Sequence, residues 1–146
     1  MTDSQDTPRR VPRIVYRQQM GPLLLGACPS FEPQWKQFLA DWISDGPDLP
    51  LYILWGDFAR HLSGLLLRGD DETLRRVFEV VELFIIEGDS YVSEAAIVGI
   101  LEDLQNTNLH SGTKPEHYLP FLLPQSRRWW EKVELFWKDG KLLTDD

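Results

Sequence analysis

Apolar residues recur along this chain at intervals of three and four, the spacing that keeps side chains on one face of a helix. The pattern is clearest from Leu51 onward, where Leu51, Leu54, Trp55, Phe58, Leu62, Leu65 and Leu66 form one stripe and predict a helix over 51–68. Gly69 is placed to close it, because the left-handed conformation of a helix C-terminus costs other residues more. Asp70 or Asp71 then caps a fourth helix that turns Leu74, Val77, Phe78, Val81, Phe84 and Ile85 inward. Its other side carries Glu72, Arg76 and Glu79 at ion-pairing spacing. Gly88 ends that helix, and Asp89 or Ser90 opens a fifth that runs to about Asn106.

Upstream, the spacing predicts a first helix over 14–28, with Pro22 either kinking it or lying near the start of a shorter one. Ser30 caps a second helix through Trp42, with Trp35, Phe38, Leu39 and Trp42 on one face. Gly46-Pro47 and Pro50 make a rigid turn, and 106–124, with Gly112, Pro115, Pro120 and Pro124, reads as irregular. The last helix runs from Pro124 to Lys138 with Trp130, Val133, Phe136 and Trp137 on one face. Strand-type alternation is absent over any convincing length. The expectation is an all-α fold, a compact helical bundle or short HEAT-like stack of about six helices. Residues 1–10 read as a flexible N-terminal segment and 11–146 as a single helical domain.

Composition agrees with a globular core: 42% of the 146 residues are hydrophobic, including six Trp and seven Phe. Charge changes the picture. Between Gly69 and Asn106 the chain has ten acidic and two basic residues, so this stretch accounts for the whole net charge of -8. That balance argues against a duplex nucleic-acid binder, which needs a basic face to displace counterions from phosphates. Arg9, Arg10, Arg13 and Arg17 are a short basic segment that reads as a solvated flank or helix start. Apolar runs are too short to span a membrane and the first residues lack an apolar signal core, so the expected location is the cytoplasm. Cys28 is the only cysteine, which rules out an internal disulfide or a multi-cysteine metal site.

Gly88-Asp89-Ser90-Tyr91-Val92-Ser93-Glu94-Ala95-Ala96 resembles the second helix of a HEAT repeat, with an acidic cap, a valine and paired alanines. A fuller resemblance covers most of the chain. Pro29 with Trp35, Leu51-Tyr52 with Gly56-Asp57-Phe58-Ala59-Arg60, Gly88-Asp89, Leu101 to Asn106, and Pro124 to Trp130 follow in the order of a small bacterial family of uncharacterised helical domains. Members of that family resemble the immunity proteins that accompany bacterial toxins. The resemblance implies a partner class and assigns no residue a role.

Candidate catalytic groupings are sparse. Asp57 and His61 stand four residues apart, a spacing at which an acid can orient a base, but no nucleophile accompanies them and a surface contact is the commoner outcome. His110, Glu116 and His117 flank a Gly/Pro loop without the spacing of a metal motif. Glu102 and Asp103, being adjacent, project about 100° apart on a helix and do not form a shared carboxylate pair. One is expected to cap or pair locally while the other meets solvent. Phosphate-cradling loops and the GxSxG elbow are missing. Trp129 and Trp130 cannot both face one core centre, so one of them lies at an edge, open to a partner.

These features favour a protein-binding module over an enzyme. The first expectation is an immunity protein, without metal or organic cofactor, that neutralises a basic toxin by direct contact. Its candidate partner surface is Asp70, Asp71, Glu87, Asp89, Glu94, Glu102 and Asp103, with Trp129 as the aromatic candidate. The alternatives are a helical adaptor unrelated to toxins, or a small enzyme using Asp57 and His61.

Overall fold

The computed structural model describes residues 14–46, 48–140 and 143. The expected flexible segment 1–10 lies outside the described residues. All regular elements described are helical: α1 (Arg17–Ala27), α2 (Glu32–Trp42), α3 (Leu51–Arg68), α4 (Asp71–Glu87), α5 (Ser90–Glu94), α6 (Glu102–Gln105) and α7 (Pro124–Asp139), with short 3-10 turns between some of them. The result is an all-α bundle.

The central stripes fold as their spacing dictates. Phe58 and Leu62 of α3 and Phe78 and Val81 of α4 are all at most 1% exposed. Gly69 closes α3 with φ at 71°, which favours glycine, and Asp70 caps α4 by accepting from the Thr73 N–H. On the outer side of α4 the Arg76–Glu72 pair forms at 2.7 Å between exposed side chains, a weak contact of about 0.3–0.5 kcal/mol.

The fifth expected helix is continuous but not uniform. Asp89 caps it through the Val92 N–H at 2.9 Å, α5 and α6 form its ends, and Ala95–Leu101 between them is π-helical. This rod, residues 90–105, packs on α3, α4 and α7. Gly99 permits the approach to α3: a Cβ there would meet Trp55 Cδ1 at 2.6 Å and Tyr52 Cε1 at 3.3 Å.

Several local expectations are corrected. The first helix starts at Arg17, not Ile14, because Val15 is extended and bridges the α4–α5 turn. Its N–H donates to Glu87 O at 2.8 Å and its carbonyl accepts from Asp89 N at 2.9 Å. Pro22 lies inside α1. Ser30 does not cap α2; a 3-10 turn, Pro29–Phe31, leads into that helix and the Ser30 hydroxyl faces His61 instead. On α7, Trp130 and Val133 are fully buried, but Phe136 and Trp137 are 37% and 52% exposed, since the core ends before the last turn of the helix.

The stretch expected to be irregular is held at two places. Ser111 N donates to Ser63 Oγ, and Ser63, Thr113 and His110 continue the chain of hydrogen bonds to Leu104 O at 2.7 Å. Further on, Pro115–Phe121 forms a 3-10 helix whose Tyr118 packs between Phe78 and Trp130. Across the bundle, the Glu82 carboxylate on α4 accepts from Gln125 N at 2.8 Å and Ser126 N at 2.7 Å, capping α7 from outside.

Candidate functional site

The acidic residues do not form one surface. Asp70 and Asp71 lie at the α3–α4 turn, while Glu87 and Asp89 lie at the α4–α5 turn. The 17 residues of α4 separate the two turns by about 25 Å. Asp70 and Asp89 are engaged as helix caps, and the hydrogen bonds from Thr73 hold the Asp70 carboxyl below the usual aspartate range.

Glu94, Glu102 and Asp103 are different. On a uniform α-helix Glu94 and Glu102, eight positions apart, would point about 80° away from each other. The π-helical turns between them use an extra residue, which takes up about 100° and brings the two carboxylates back toward one side. Both act on the same neighbour across the α3 seam: Tyr52, whose hydroxyl is pushed up by burial and then by Glu94, Tyr91 and Glu102. Tyr52 meets Tyr91 edge-on at 6.1 Å and is 43% exposed.

Asp103 sits next to this patch, half-buried, with its pKa pushed up to about 6 by burial and by Glu102, against a weaker opposing pull from Arg60. Glu102 is half-buried too, and burial raises it. The expectation that one of them caps while the other meets solvent is corrected: among the described residues neither carboxylate makes a hydrogen bond or a salt bridge. Arg60 instead pairs with Asp57 at 3.4 Å. A carboxylate held half out of water beside another, with no donor, weakens the fold.

That cost gives a pH signature. Asp103 has an ordinary value of 3.8 and a folded value of about 6, so the native state takes up a proton that the unfolded chain does not hold between those pH values. Its penalty is complete above pH 6 and disappears as pH falls through 6 toward 4. The interval corresponds to about 3 kcal/mol, which solvent screening reduces to about 1–2 kcal/mol. Asp103→Asn is therefore expected to stabilise the protein by about 1–2 kcal/mol at pH 7 and by little at pH 4. Urea denaturation at the two pH values checks this; an equal or negative change at pH 7 contradicts it.

The other candidates are separated by the fold. His61 does not touch Asp57; its Nε2 lies 2.7 Å from Ser30 Oγ, and burial followed by the field of Arg68 lowers its pKa. Beside this pair, Phe31 N donates to Cys28 O and Glu32 N to Pro29 O, so these two backbone donors are already engaged. Cys28 is buried, which raises its thiol pKa. His110 is held by Thr113 and Leu104 O, and His117 Nδ1 accepts from Lys114 N at 3.0 Å. Among the described residues no cluster of three His, Cys, Asp or Glu side chains is arranged to hold a metal.

Trp129 is half-buried, with Arg128 Cζ at 5.0 Å and Lys132 Nζ at 5.2 Å from its ring. It lines an open groove of about 820 Å³ together with Ile85, Ile86, Ser93, Glu94, Ile97 and Val98. A second hollow of about 350 Å³ lies between Arg17, Trp35, Asp48 and Leu49. The sequence pointed to neither hollow, because each is assembled from distant segments.

Residues 22–138 match a domain of unknown function, DUF7674. The chain belongs to the DUF7674 family. The match begins inside α1 and ends in the last turn of α7, so the DUF7674 domain includes the rod, its π-helical stretch and the whole acidic patch. No curated protein and no solved structure matches the chain. No helix among the described residues is long and apolar enough to cross a membrane.

Proposed function

We propose that this DUF7674 protein is a binding module of the immunity type, which neutralises a basic bacterial toxin in the cytoplasm by covering it with the face formed by Glu94, Glu102, Asp103 and Tyr52. One observation carries this reading: among the described residues Glu102 and Asp103 are kept half-buried and adjacent with neither a hydrogen bond nor a salt bridge, the Arg60 charge only partly offsetting them, and there they weaken the fold. Residues that break the rules of stability belong most often to functional surfaces. A cation from a partner would supply the missing charge at this face. Exposed Tyr52 beside the acids fits the aromatic anchoring common at protein interfaces.

The reading narrows the interface. Asp70 and Asp89 serve their helices, and Trp129 lies among cationic groups in a groove that it shares with Glu94. Asp57 pairs with Arg60 and His61 with Ser30 rather than with each other, which fits ordinary surface contacts better than an acid orienting a base.

Association with the toxic product of a neighbouring gene tests the proposal. Steering by the acidic face makes the rate fall steeply with salt, because screening shortens the field to about 8 Å near 0.15 M. Reversal of Glu94, Glu102 and Asp103 to Lys is expected to slow association by about tenfold or more at low salt and to abolish protection in co-expression, with the helical circular dichroism retained. An unchanged rate in the folded triple variant overturns the proposal.

A further inference from the structure

Tyr91 already carries a guanidinium group. Arg17 Cζ lies 4.5 Å from the centre of its ring, and Arg17 Nη2 donates to Leu49 O at 2.6 Å. The adjoining ring, Tyr52, is exposed, stands edge-on to Tyr91, and has no cation over it among the described residues. Tyr52 lies over the rod between Tyr91, which its ring meets at 6.1 Å, and Gly99, where a Cβ would stand 3.3 Å from Tyr52 Cε1; Glu94 and Glu102 follow these two positions by three residues each, and both push the Tyr52 hydroxyl up. Ile53, the next residue of α3, is 52% exposed and extends the apolar margin of the same face.

We propose that Tyr52, flanked by Glu94 and Glu102, is the seat of an arginine side chain from the partner, repeating beside Tyr91 the arrangement that Arg17 makes on it. The inference rests on the acidic-face reading and adds the kind of cation. A guanidinium is planar and weakly hydrated, so it can lie on a tyrosine while its N–H groups reach two carboxylates. Lysine is a compact, strongly hydrated charge that gains less from the ring. Exposed Tyr52 thus discriminates between two cations that the acids alone would treat nearly alike.

The full chain, mixed with labelled poly-arginine and poly-lysine peptides of equal length at about 0.15 M salt, provides the test, read as fluorescence anisotropy. The arginine peptide is expected to bind about fivefold tighter than the lysine peptide. Tyr52→Ala should erase that preference, and Tyr52→Phe, which keeps the ring, should retain most of it. Thermal melting confirms that each variant is folded. Equal affinity for the two peptides, or a preference that survives Tyr52→Ala, overturns the arginine seat. In that event, loss of both affinities in Glu94→Lys/Glu102→Lys still supports an acidic docking face. Affinities indifferent to those reversals overturn the arginine seat and remove support for the acidic-face reading as well.

Discussion

Replacing Phe78 by alanine is expected to destabilise the protein by about 3–5 kcal/mol, the largest loss from any single side chain considered. Phe78 is fully buried, and its ring links two parts of the chain distant in sequence. It packs against Tyr118 at 5.8 Å and stacks with Phe121 at 6.3 Å. Tyr118 in turn meets Trp130 of α7. Truncation would therefore leave a cavity and also remove aromatic contacts worth about 0.5–1.5 kcal/mol per pair. Because the Pro115–Phe121 helix and α7 share this contact, the loss should appear as a lower denaturation midpoint for the whole domain. A change below about 1 kcal/mol would mean that the Phe78 site collapses around the smaller side chain.

Glu82→Ala is expected to cost about 2–4 kcal/mol, since it removes two charge-assisted hydrogen bonds at once. The backbone N–H groups of Gln125 and Ser126 would lose their acceptor, and Ser126 is fully buried. The negative charge facing the N-terminus of α7 would also go. Glu82→Gln keeps one acceptor oxygen and the shape, so its loss should be about half as large. Hydrogen exchange at residues 124–128, followed alongside urea denaturation, distinguishes local loosening of α7 from loss of the whole core. Unchanged protection there would show that the carboxylate is not what holds the helix start.

The elements most legible in the sequence are those decided within a few residues. The range of α3, the Gly69 turn and the caps of Asp70 and Asp89 follow from local spacing and side-chain chemistry. Features decided by distant partners were hidden. Glu82 interrupts the apolar run from Val80 to Ile86, which marks it as unusual, but its acceptors' partners lie more than forty residues away. Ser30 has the composition of a cap, yet His61 from α3 draws its hydroxyl elsewhere. Phe136 and Trp137 obey helical periodicity where, among the described residues, no second layer covers them.

The acidic patch was legible as composition and illegible as geometry. Counting residues at the α-helical angle separates Glu94 from Glu102, and only the π-helical stretch restores their common direction. Tyr52 and Tyr91, thirty-nine positions apart in the chain, gave no signal of their meeting.

The Val15–Gly88 bridge bears on where this domain ends. The family match starts at residue 22, but Val15 supplies both a donor and an acceptor to the turn that opens the rod. Arg17, also upstream of the match, ties the 46–50 loop to Tyr91. A protein trimmed to residues 22–138 would retain every helix from α2 to α6, yet it would expose Glu87 O and Asp89 N and leave Tyr91 without its cation. The physical boundary of the unit thus lies at or before residue 15, upstream of the edge of its recognisable sequence.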